Sequence, residues 1–434
     1  MQNAAAADAK NRPASRLAVS AVVFILVTLV AFLFVYLNTP REVPLTWDGG
    51  EWSRLLAVNC NAPTIVEFEN KIYMFYSVIT ENAVGNTAAD EEWAGKQALK
   101  DIMYVVFDGA NFSSPAWLTT PNDEISVNGS FFVFQGKLYA ALYEWHITAN
   151  STSEVKSRVR LEVFDGKSWS EAEAPLTENE MDRNAAPLYL VGSNKVWMIY
   201  QNVDAQGRFV NGFTYKTFNG HSWSQAQNFT IPTPQPNAWM PLVMDDQLWF
   251  AWDNVGIQAD AQIKPHTDVW LGCFNGENWR NVTRLTPNDD EGENWGVTAV
   301  KYQGSLVAFW SSSYFKSPEP KDGGWVLRSF SLSDGALGEL TPVPSEKGYK
   351  LSPWSTTVFE GRLYVLWYSD YENWRSMIAA FDGAQWSSLY RFDRGYDAEG
   401  LFVYKNKLWV YGTYESSKPN EAGWTYLRSY SLTG

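Results

Sequence analysis

Cysteine and histidine are scarce in this sequence. Its 434 residues contain two cysteines, Cys60 and Cys273, and three histidines, His146, His221 and His266. One pair of cysteines cannot build a disulfide framework, and no two histidines stand at the i, i+4 spacing of a helical metal site. We therefore predict two buried free thiols, no metal, no cofactor and no catalysis built on histidine.

Positive charge is also deficient. The chain has 34 Lys and Arg residues against 48 Asp and Glu residues, a net charge of −14. A phosphate backbone is bound by a basic surface, which this composition does not favour. Nucleic acid is therefore excluded as a partner.

Aromatic residues are abundant instead. They make up 16% of the chain, with 22 tryptophans, and hydrophobic residues reach 45%. Disordered chains are poor in such residues. We expect a folded chain whose interior is rich in aromatic rings.

Only one long apolar run occurs, from Leu17 to Leu37, and it carries no charge. As a helix it would be about 31 Å long, enough to cross a hydrocarbon core of about 30 Å. The apolar stretch of a cleavable signal is usually shorter, so we predict an uncleaved transmembrane helix, with a cleaved signal as the alternative.

The basic residues around this run predict its orientation. Lys10, Arg12 and Arg16 precede it, whereas Arg41 alone follows closely. This places the N-terminus in the cytoplasm and the remainder outside. The predicted organisation is a cytoplasmic tail at 1–16, a transmembrane helix at 17–37, a linker at 38–45 and an exported domain at 46–434. Five Asn-x-Ser/Thr sequons fit export, at Asn111, Asn128, Asn150, Asn228 and Asn281, but a chain this rich in Asn, Ser and Thr contains several by chance, so they do not decide the location.

One short phrase recurs along the exported part. It reads FDGANFS at 107–113, FDGKSWS at 164–170, FNGHSWS at 218–224, FNGENWR at 274–280 and FDGAQWS at 381–387. Each copy ends an apolar or alternating run with Asp-Gly or Asn-Gly, the dipeptides typical of a hairpin with a type I′ turn. We predict a hairpin whose tryptophan, on the returning strand, fills the space between neighbouring sheets.

A second phrase precedes each hairpin and predicts two more strands. Its copies are NKIYMFY, GKLYAALY, NKVWMIY, DQLWFAW, GSLVAFW, GRLYVLW and NKLWVYG, each after a short apolar run. The repeating unit is therefore four strands, named A to D from the inside outwards.

Counting the units predicts the architecture. Seven A–B phrases are present, but the chain stops after Tyr430 without a seventh D strand, whereas TWDGGEWSRLL at 46–56 has no A–B pair before it. The period is about 55 residues, near that of propeller repeats. We predict an all-β, seven-bladed β-propeller of four-stranded antiparallel blades, closed by an N-terminal outer strand. Six or eight blades are the alternatives.

Residues 46–434 resemble the kelch, Asp-box (sialidase-like) and related propellers. The motifs depart from both patterns, because FDGKSWS joins Asp165 directly to Gly166 where the Asp-box reads S-x-D-x-G-x-x-W, and the Gly-Gly pair of kelch blades is missing. The resemblance implies the fold and little of the chemistry.

Connection lengths predict which end of the propeller carries function. The A–B and C–D turns are short and share one face, whereas several B–C and D–A connections on the opposite face are long. Binding residues concentrate on long loops of a rigid scaffold. We place the site on this loop-rich face, around the axis.

Three tryptophans open the A strands of three consecutive blades, namely Trp239, Trp295 and Trp354. An aromatic ring near the channel mouth can stack on a sugar. Packing between blades is the alternative role.

Acidic residues are frequent in the D–A loops, including Asp397 and Glu399. A pair could act as acid and base in glycoside hydrolysis, and a solvated acidic rim is the alternative. A calcium site in PNDDEGEN is a further alternative, although its spacing is not that of an EF-hand loop. We take Asp253, at the start of the B–C connection of the fourth blade, and Glu399 as ligand-binding candidates.

The resemblance to sialidases implies a role for Arg183, which lies just before an A strand where those enzymes carry one arginine of a carboxylate-binding cluster. Such a cluster needs three arginines, and Arg160, Arg328, Arg375 and Arg428 fall on C strands. A structural or surface role for Arg183 is the alternative.

Three functions are consistent with these features. The first is a membrane-anchored, extracytoplasmic propeller that binds glycans or cell-envelope polymers. The second is a glycosidase or sialidase-like hydrolase. The third is a scaffold for another surface protein, which predicts a broad apolar patch on the loop-rich face.

Overall fold

A computed structural model describes the part of the chain that forms the sheets. The described residues are 45–47, 53–54, 63–79, 100–119, 125–146, 157–173, 187–203, 209–233, 236–255, 267–286, 294–313, 325–333, 336–339, 343, 351–369, 375–387, 389–392, 396–414 and 424–432. The predicted transmembrane segment at 17–37 lies outside them. Within them, no helix is long and apolar enough to cross a membrane.

Twenty-nine strands occur in the described residues. An N-terminal pair consists of β1 (Leu45–Trp47) and β2 (Ser53–Arg54). Blade 1 contains β3 (Thr64–Phe68), β4 (Lys71–Ile79), β5 (Lys100–Phe107) and β6 (Ala116–Trp117). Blade 2 contains β7 (Ile125–Phe134), β8 (Lys137–His146), β9 (Ser157–Phe164) and β10 (Trp169–Ala172). Blade 3 contains β11 (Leu188–Val191), β12 (Val196–Val203), β13 (Phe209–Phe218) and β14 (Gln227–Phe229).

The remaining blades repeat the pattern. Blade 4 contains β15 (Pro236–Met244), β16 (Gln247–Val255), β17 (Thr267–Phe274) and β18 (Trp279–Arg284). Blade 5 contains β19 (Asn294–Tyr302), β20 (Ser305–Ser313), β21 (Trp325–Ser333) and β22 (Ala336–Glu339). Blade 6 contains β23 (Leu351–Phe359), β24 (Arg362–Ser369), β25 (Arg375–Phe381) and β26 (Tyr390–Arg391). Blade 7 contains β27 (Tyr396–Tyr404), β28 (Lys407–Tyr414) and β29 (Trp424–Leu432).

These strands form seven antiparallel sheets in which A, B, C and D follow one another in space. The chain is therefore a seven-bladed β-propeller, and the predicted blade count is confirmed.

The N-terminal pair closes the ring. β1 and β2 both pair with β29, with Trp47 opposite Tyr430 and Arg54 opposite Tyr426, so together they supply the outer strand that blade 7 lacks. The predicted closure is confirmed, although Trp52 itself lies outside the described residues.

The hydrophobic core is divided among the blade interfaces. Among the described residues, seven clusters of buried apolar side chains occur, and each joins one pair of neighbouring blades. One cluster contains both Met74 of blade 1 and Trp409 of blade 7. Because every blade packs on two others, the rigidity of the ring is shared by all seven interfaces.

The recurring phrase is part of these interfaces. Its Phe and Trp contact each other in four copies, with ring centroids 5.0 Å apart for Phe164 and Trp169. The Trp279 indole N–H also donates to the Thr230 carbonyl of the preceding blade, 2.7 Å away. The predicted gap-filling role of the tryptophan is confirmed.

The turn chemistry predicted for this phrase is wrong. Its loop has four residues, because Phe164 pairs with Trp169, and only the glycine takes a positive φ, 93° at Gly166. The Asp165 carboxylate instead accepts the N–H groups of Lys167 and Ser168. These hydrogen bonds lower the pKa of Asp165. An Asx-type turn thus replaces the type I′ turn, since a side chain satisfies the loop's donors.

Type I′ geometry is found in the A–B turns of six blades, whereas the A–B turn of blade 3 is a four-residue loop between Val191 and Val196. Glu69 and Asn70 both have positive φ, at 49° and 56°, and Asp245 and Asp246 repeat this at 53° and 59°. These two-residue turns match the right-handed twist of the strands that they join. The short-turn face is therefore built from two different kinds of turn.

Cys273 is a free, buried cysteine on β17, as predicted, and Cys60 lies outside the described residues. Burial raises the pKa of the Cys273 thiol, so the neutral form is favoured. A structural role follows for this residue.

Candidate functional site

The innermost strands of blades 4 to 7 share an irregularity at their loop-rich ends. Pairing with the B strand shifts between Pro236 and Trp239 on β15, and between Trp295 and Thr298 on β19. It shifts again between Pro353 and Ser355 on β23, and between Ala398 and Gly400 on β27. At each place the inner strand has one residue more than its partner, which defines a β-bulge.

The inner strands of blades 1 to 3 lack this irregularity in their described ladders. β3, β7 and β11 pair with their B strands in a constant register. The inner-strand bulges of the described ladders therefore lie on four consecutive blades, 4 to 7. We call the inner strands of these four blades the bulged wall.

Every aromatic candidate lies on the bulged wall. Trp239 and Trp295 border the bulges of β15 and β19, and Trp354 is the extra residue of β23. Their predicted positions on A strands are confirmed by the backbone, whereas their side chains lie outside what the structure describes. A bulge bends a strand and re-aims a side chain, and bulges are frequent beside active sites.

Glu399 is the extra residue of the fourth bulge. It lies on β27 with Asp397, so both belong to an inner strand, and their assignment to a D–A loop is wrong. The Thr413 hydroxyl of β28 donates a hydrogen bond to Glu399 Oε1 at 2.7 Å. Burial raises the pKa of the Glu399 carboxyl, the Thr413 hydrogen bond lowers it, and the Asp397 charge raises it further.

Tyr411 completes the group around Glu399. Its ring lies so close to Gly400 that a side chain on that residue would overlap it. Burial and the Glu399 charge raise the pKa of Tyr411 to about 12, so its phenol is protonated at neutral pH. A carboxyl group that resists ionisation, next to a second carboxylate, is suited to donate a proton.

Asp253 lies within β16 and is fully buried, so its assignment to the B–C connection is wrong. It lies on the β16 face that packs towards blade 5. The buried polar residues of this interface are tied together: Asn294 accepts the Trp310 indole N–H at 2.9 Å and donates to the Thr267 carbonyl at 2.6 Å. These bonds fix the loop-rich ends of β17, β19 and β20 to one another.

The arginines that the sequence places on C strands do lie there, and Arg160 forms ion pairs within its own blade. Arg160 on β9 pairs with Glu144, at 2.9 Å, and with Glu162. Arg328, Arg375 and Arg428 lie on β21, β25 and β29, so their predicted positions on C strands are confirmed. Arg183 lies outside the described residues, and its proposed role remains a prediction.

Metal binding has no candidate in the part of the chain that the structure describes. No group of three His, Cys, Asp or Glu side chains could hold an ion there. Seven residues of the predicted calcium segment, 287–293, lie outside the described part.

Sequence reasoning missed Thr413, Tyr411 and the bulges themselves. A signal for the bulges was present, since Gly296 and Gly400 interrupt two inner strands, and glycine within a strand often marks a bulge. Nothing in the sequence paired Thr413 with Glu399, because that contact depends on the register of β27 and β28.

Comparison with known proteins supports the fold alone. No protein-family model matches the chain, and no curated protein matches it. Among solved structures, the polysaccharide lyase Uly1 superposes with a TM-score of 0.54 at 10% identity, covering 90% of this chain and 95% of that one. The sialidase of Trypanosoma rangeli gives 0.38 at 13% identity, over 90% of this chain and 56% of its own. The Bombyx mori GH32 β-fructofuranosidase gives 0.36 at 9%, over 88% and 93%.

Proposed function

We propose that the propeller binds polysaccharide chains on the bulged wall. The observation that carries this proposal is the coincidence of four consecutive bulges with Trp239, Trp295, Trp354 and Glu399. Aromatic rings would stack on the apolar faces of sugar rings, and the polar group around Glu399 would contact hydroxyls. The likeness in fold to a polysaccharide lyase makes polysaccharides the first ligands to test.

Location forms part of the same proposal. The apolar segment Leu17–Leu37 would hold the protein in the membrane, with the propeller outside, where cell-envelope polymers are within reach. Protease protection of sealed membrane vesicles tests this location without any ligand.

Binding is tested with the full-length chain in detergent micelles on a glycan array, followed by titration calorimetry of the glycans that bind. We expect Trp295→Ala and Trp354→Ala each to weaken binding about tenfold, equivalent to about 1.4 kcal/mol. Trp117→Ala is the matched control, because Trp117 is an exposed tryptophan on the outer strand of blade 1. The proposal would be contradicted if all three variants lost the same affinity for the glycan, or if Trp295→Ala and Trp354→Ala lost none.

Glycoside hydrolysis is a second candidate, favoured by Glu399. Its raised pKa and its neighbour Asp397 fit a general acid beside a second carboxylate. Release of reducing ends from the bound glycan is the measurement. If the protein hydrolyses its ligand, Glu399→Gln should retain binding and lose turnover at least about 10²-fold. Binding without turnover in the wild-type chain would exclude hydrolysis of that glycan.

A further inference from the structure

Two sequon asparagines lie on the outermost strands of neighbouring blades. Asn228 lies on β14 of blade 3 and Asn281 on β18 of blade 4, and both side chains are exposed. Each is followed two residues later by a threonine, Thr230 or Thr283. An Asn-x-Thr sequence is the acceptor of asparagine-linked glycans when it is exposed in an exported protein.

The Asn228 side chain is exposed beside a neighbouring hydroxyl. The Thr214 hydroxyl oxygen lies 2.7 Å from the side-chain amide of Asn228 and 2.8 Å from that of Asn202, and its single proton can be donated to only one of them. Because the Asn228 side chain is exposed, its amide is accessible from solvent.

Asn281 lies in a bulge of its outer strand. Cys273 pairs with Arg280 and Leu271 with Thr283, so Asn281 and Val282 together face one residue of β17. Asn281 takes a left-handed φ of 52°, which interrupts the ladder at an exposed point. Val282 beside it is 37% exposed, an apolar surface that the first sugar of a glycan could cover.

Asn111, a third exposed sequon, differs because its side chain hydrogen-bonds the Asp108 carboxylate. Among these three sequons, Asn228 and Asn281 are thus the two that lie exposed on outer strands.

We propose that Asn228 and Asn281 carry asparagine-linked oligosaccharides. In the transfer, Nδ2 bonds to the anomeric carbon of an oligosaccharide held on a lipid pyrophosphate. The carbon–oxygen bond to the pyrophosphate breaks, the lipid pyrophosphate leaves with the electron pair, and one amide proton passes to a base of the membrane oligosaccharyltransferase. Glycans at these places would shield two outer sheet edges and leave the bulged wall open, since outer and inner strands lie at opposite ends of each blade.

This inference depends on the proposed location outside the cytoplasm but not on the proposed ligand. The full-length chain is produced in mammalian cells, and its peptides are analysed by mass spectrometry after treatment with peptide:N-glycosidase, which converts each modified asparagine to aspartate. We expect conversion at Asn228 and Asn281. In gels, Asn228→Gln and Asn281→Gln should each remove one glycan, and Thr230→Ala and Thr283→Ala should do the same while leaving the asparagines in place.

Protease protection of sealed microsomes distinguishes the two ways of failing. A propeller that is protected but unconverted at both asparagines would overturn the glycan sites and leave the location standing. A propeller that is digested and unconverted would overturn the location and the glycan sites together.

Discussion

At the scale of single residues, Glu399 links the bulged wall to a measurable dependence on pH. Burial raises its pKa above the ordinary value, so the folded chain binds more protons than the unfolded chain between the two pKa values. Ionisation of Glu399 therefore lowers the free energy of unfolding as pH rises from the unfolded pKa through the folded pKa. Glu399→Gln cannot ionise, and its amide oxygen can still accept the Thr413 hydrogen bond.

We expect Glu399→Gln to be more stable than the wild type at pH 7, and this advantage to shrink below about pH 4, where the unfolded carboxyl is also protonated. Urea unfolding of both chains at several pH values measures the difference. Thr413→Val serves as the control. It removes the hydrogen bond to Glu399 and should lower the free energy of unfolding both at pH 7 and below about pH 4. A constant difference between Glu399→Gln and the wild type at all pH values would contradict the prediction.

The sequence could place these residues on the correct blades but not in the correct surroundings. Strand alternation located Trp239, Trp295 and Trp354 on inner strands. Strand alternation did not predict the burial of Asp253. A polar residue that follows an apolar run is typical of the start of a loop, so the sequence placed Asp253 in the B–C connection. β16 extends past Asp253 because Asn254 pairs with Pro236 of β15 and Val255 pairs with Thr267 of β17.

At the scale of elements, the glycine of the recurring turn has a left-handed backbone and lies against a side chain of the neighbouring blade. Gly220 has a φ of 98°, and a methyl group there would overlap the Gln135 side chain of blade 2. Gln135 Nε2 donates to the Asn219 carbonyl at 3.1 Å, a bond between the turns of two blades. The turns of the short-turn face thus fasten adjacent blades together.

We expect Gly220→Ala to destabilise the chain by about 2 kcal/mol, because it adds the loss of the Gln135 contact to left-handed strain of about 1 kcal/mol. Gly304→Ala is the matched control, with a φ of 81° and nothing within 4 Å of the added methyl group. It should show the strain alone. If chemical denaturation shows that the two variants lose the same free energy of unfolding, the contact between Gln135 and the turn at Gly220 contributes nothing.

The turn type shows why local sequence was an incomplete guide at this scale. Asp-Gly and Asn-Gly favour a type I′ turn, but they also suit a longer loop in which the Asp or Asn side chain accepts backbone N–H groups. The position of the returning Trp, opposite Phe164, selects the longer loop. That choice is made by aromatic packing against the preceding blade, which the dipeptide does not encode.

At the scale of the whole molecule, the number of blades was predictable because every blade repeats the second phrase, five blades repeat the first, and the missing strand could be counted. The long connections were not, since they do not repeat. Closure has a physical consequence: the outer strand of blade 7 comes from β1 and β2, so a contact between residues near positions 46 and 431 holds the ring shut.

A cross-link between the two ends tests this closure directly. Thr46 faces Ser431 in the β1–β29 ladder. Opposed residues of an antiparallel pair have Cα atoms about 4.5 to 5.5 Å apart, within the range of a disulfide. Thr46→Cys with Ser431→Cys should therefore cross-link under mild oxidation. The resulting loop is long, so the disulfide should raise the free energy of unfolding by about 3 kcal/mol or more.

Thr46→Cys with Ser429→Cys provides the matched control. Ser429 lies two residues along the same strand, where the diagonal separation of about 7 to 8 Å exceeds what a disulfide spans. Free-thiol counting and urea unfolding, with and without reductant, compare the two pairs. If the mismatched pair forms as readily as the matched one, or if the matched disulfide adds no stability, the ring is not closed in the register of β1 and β29.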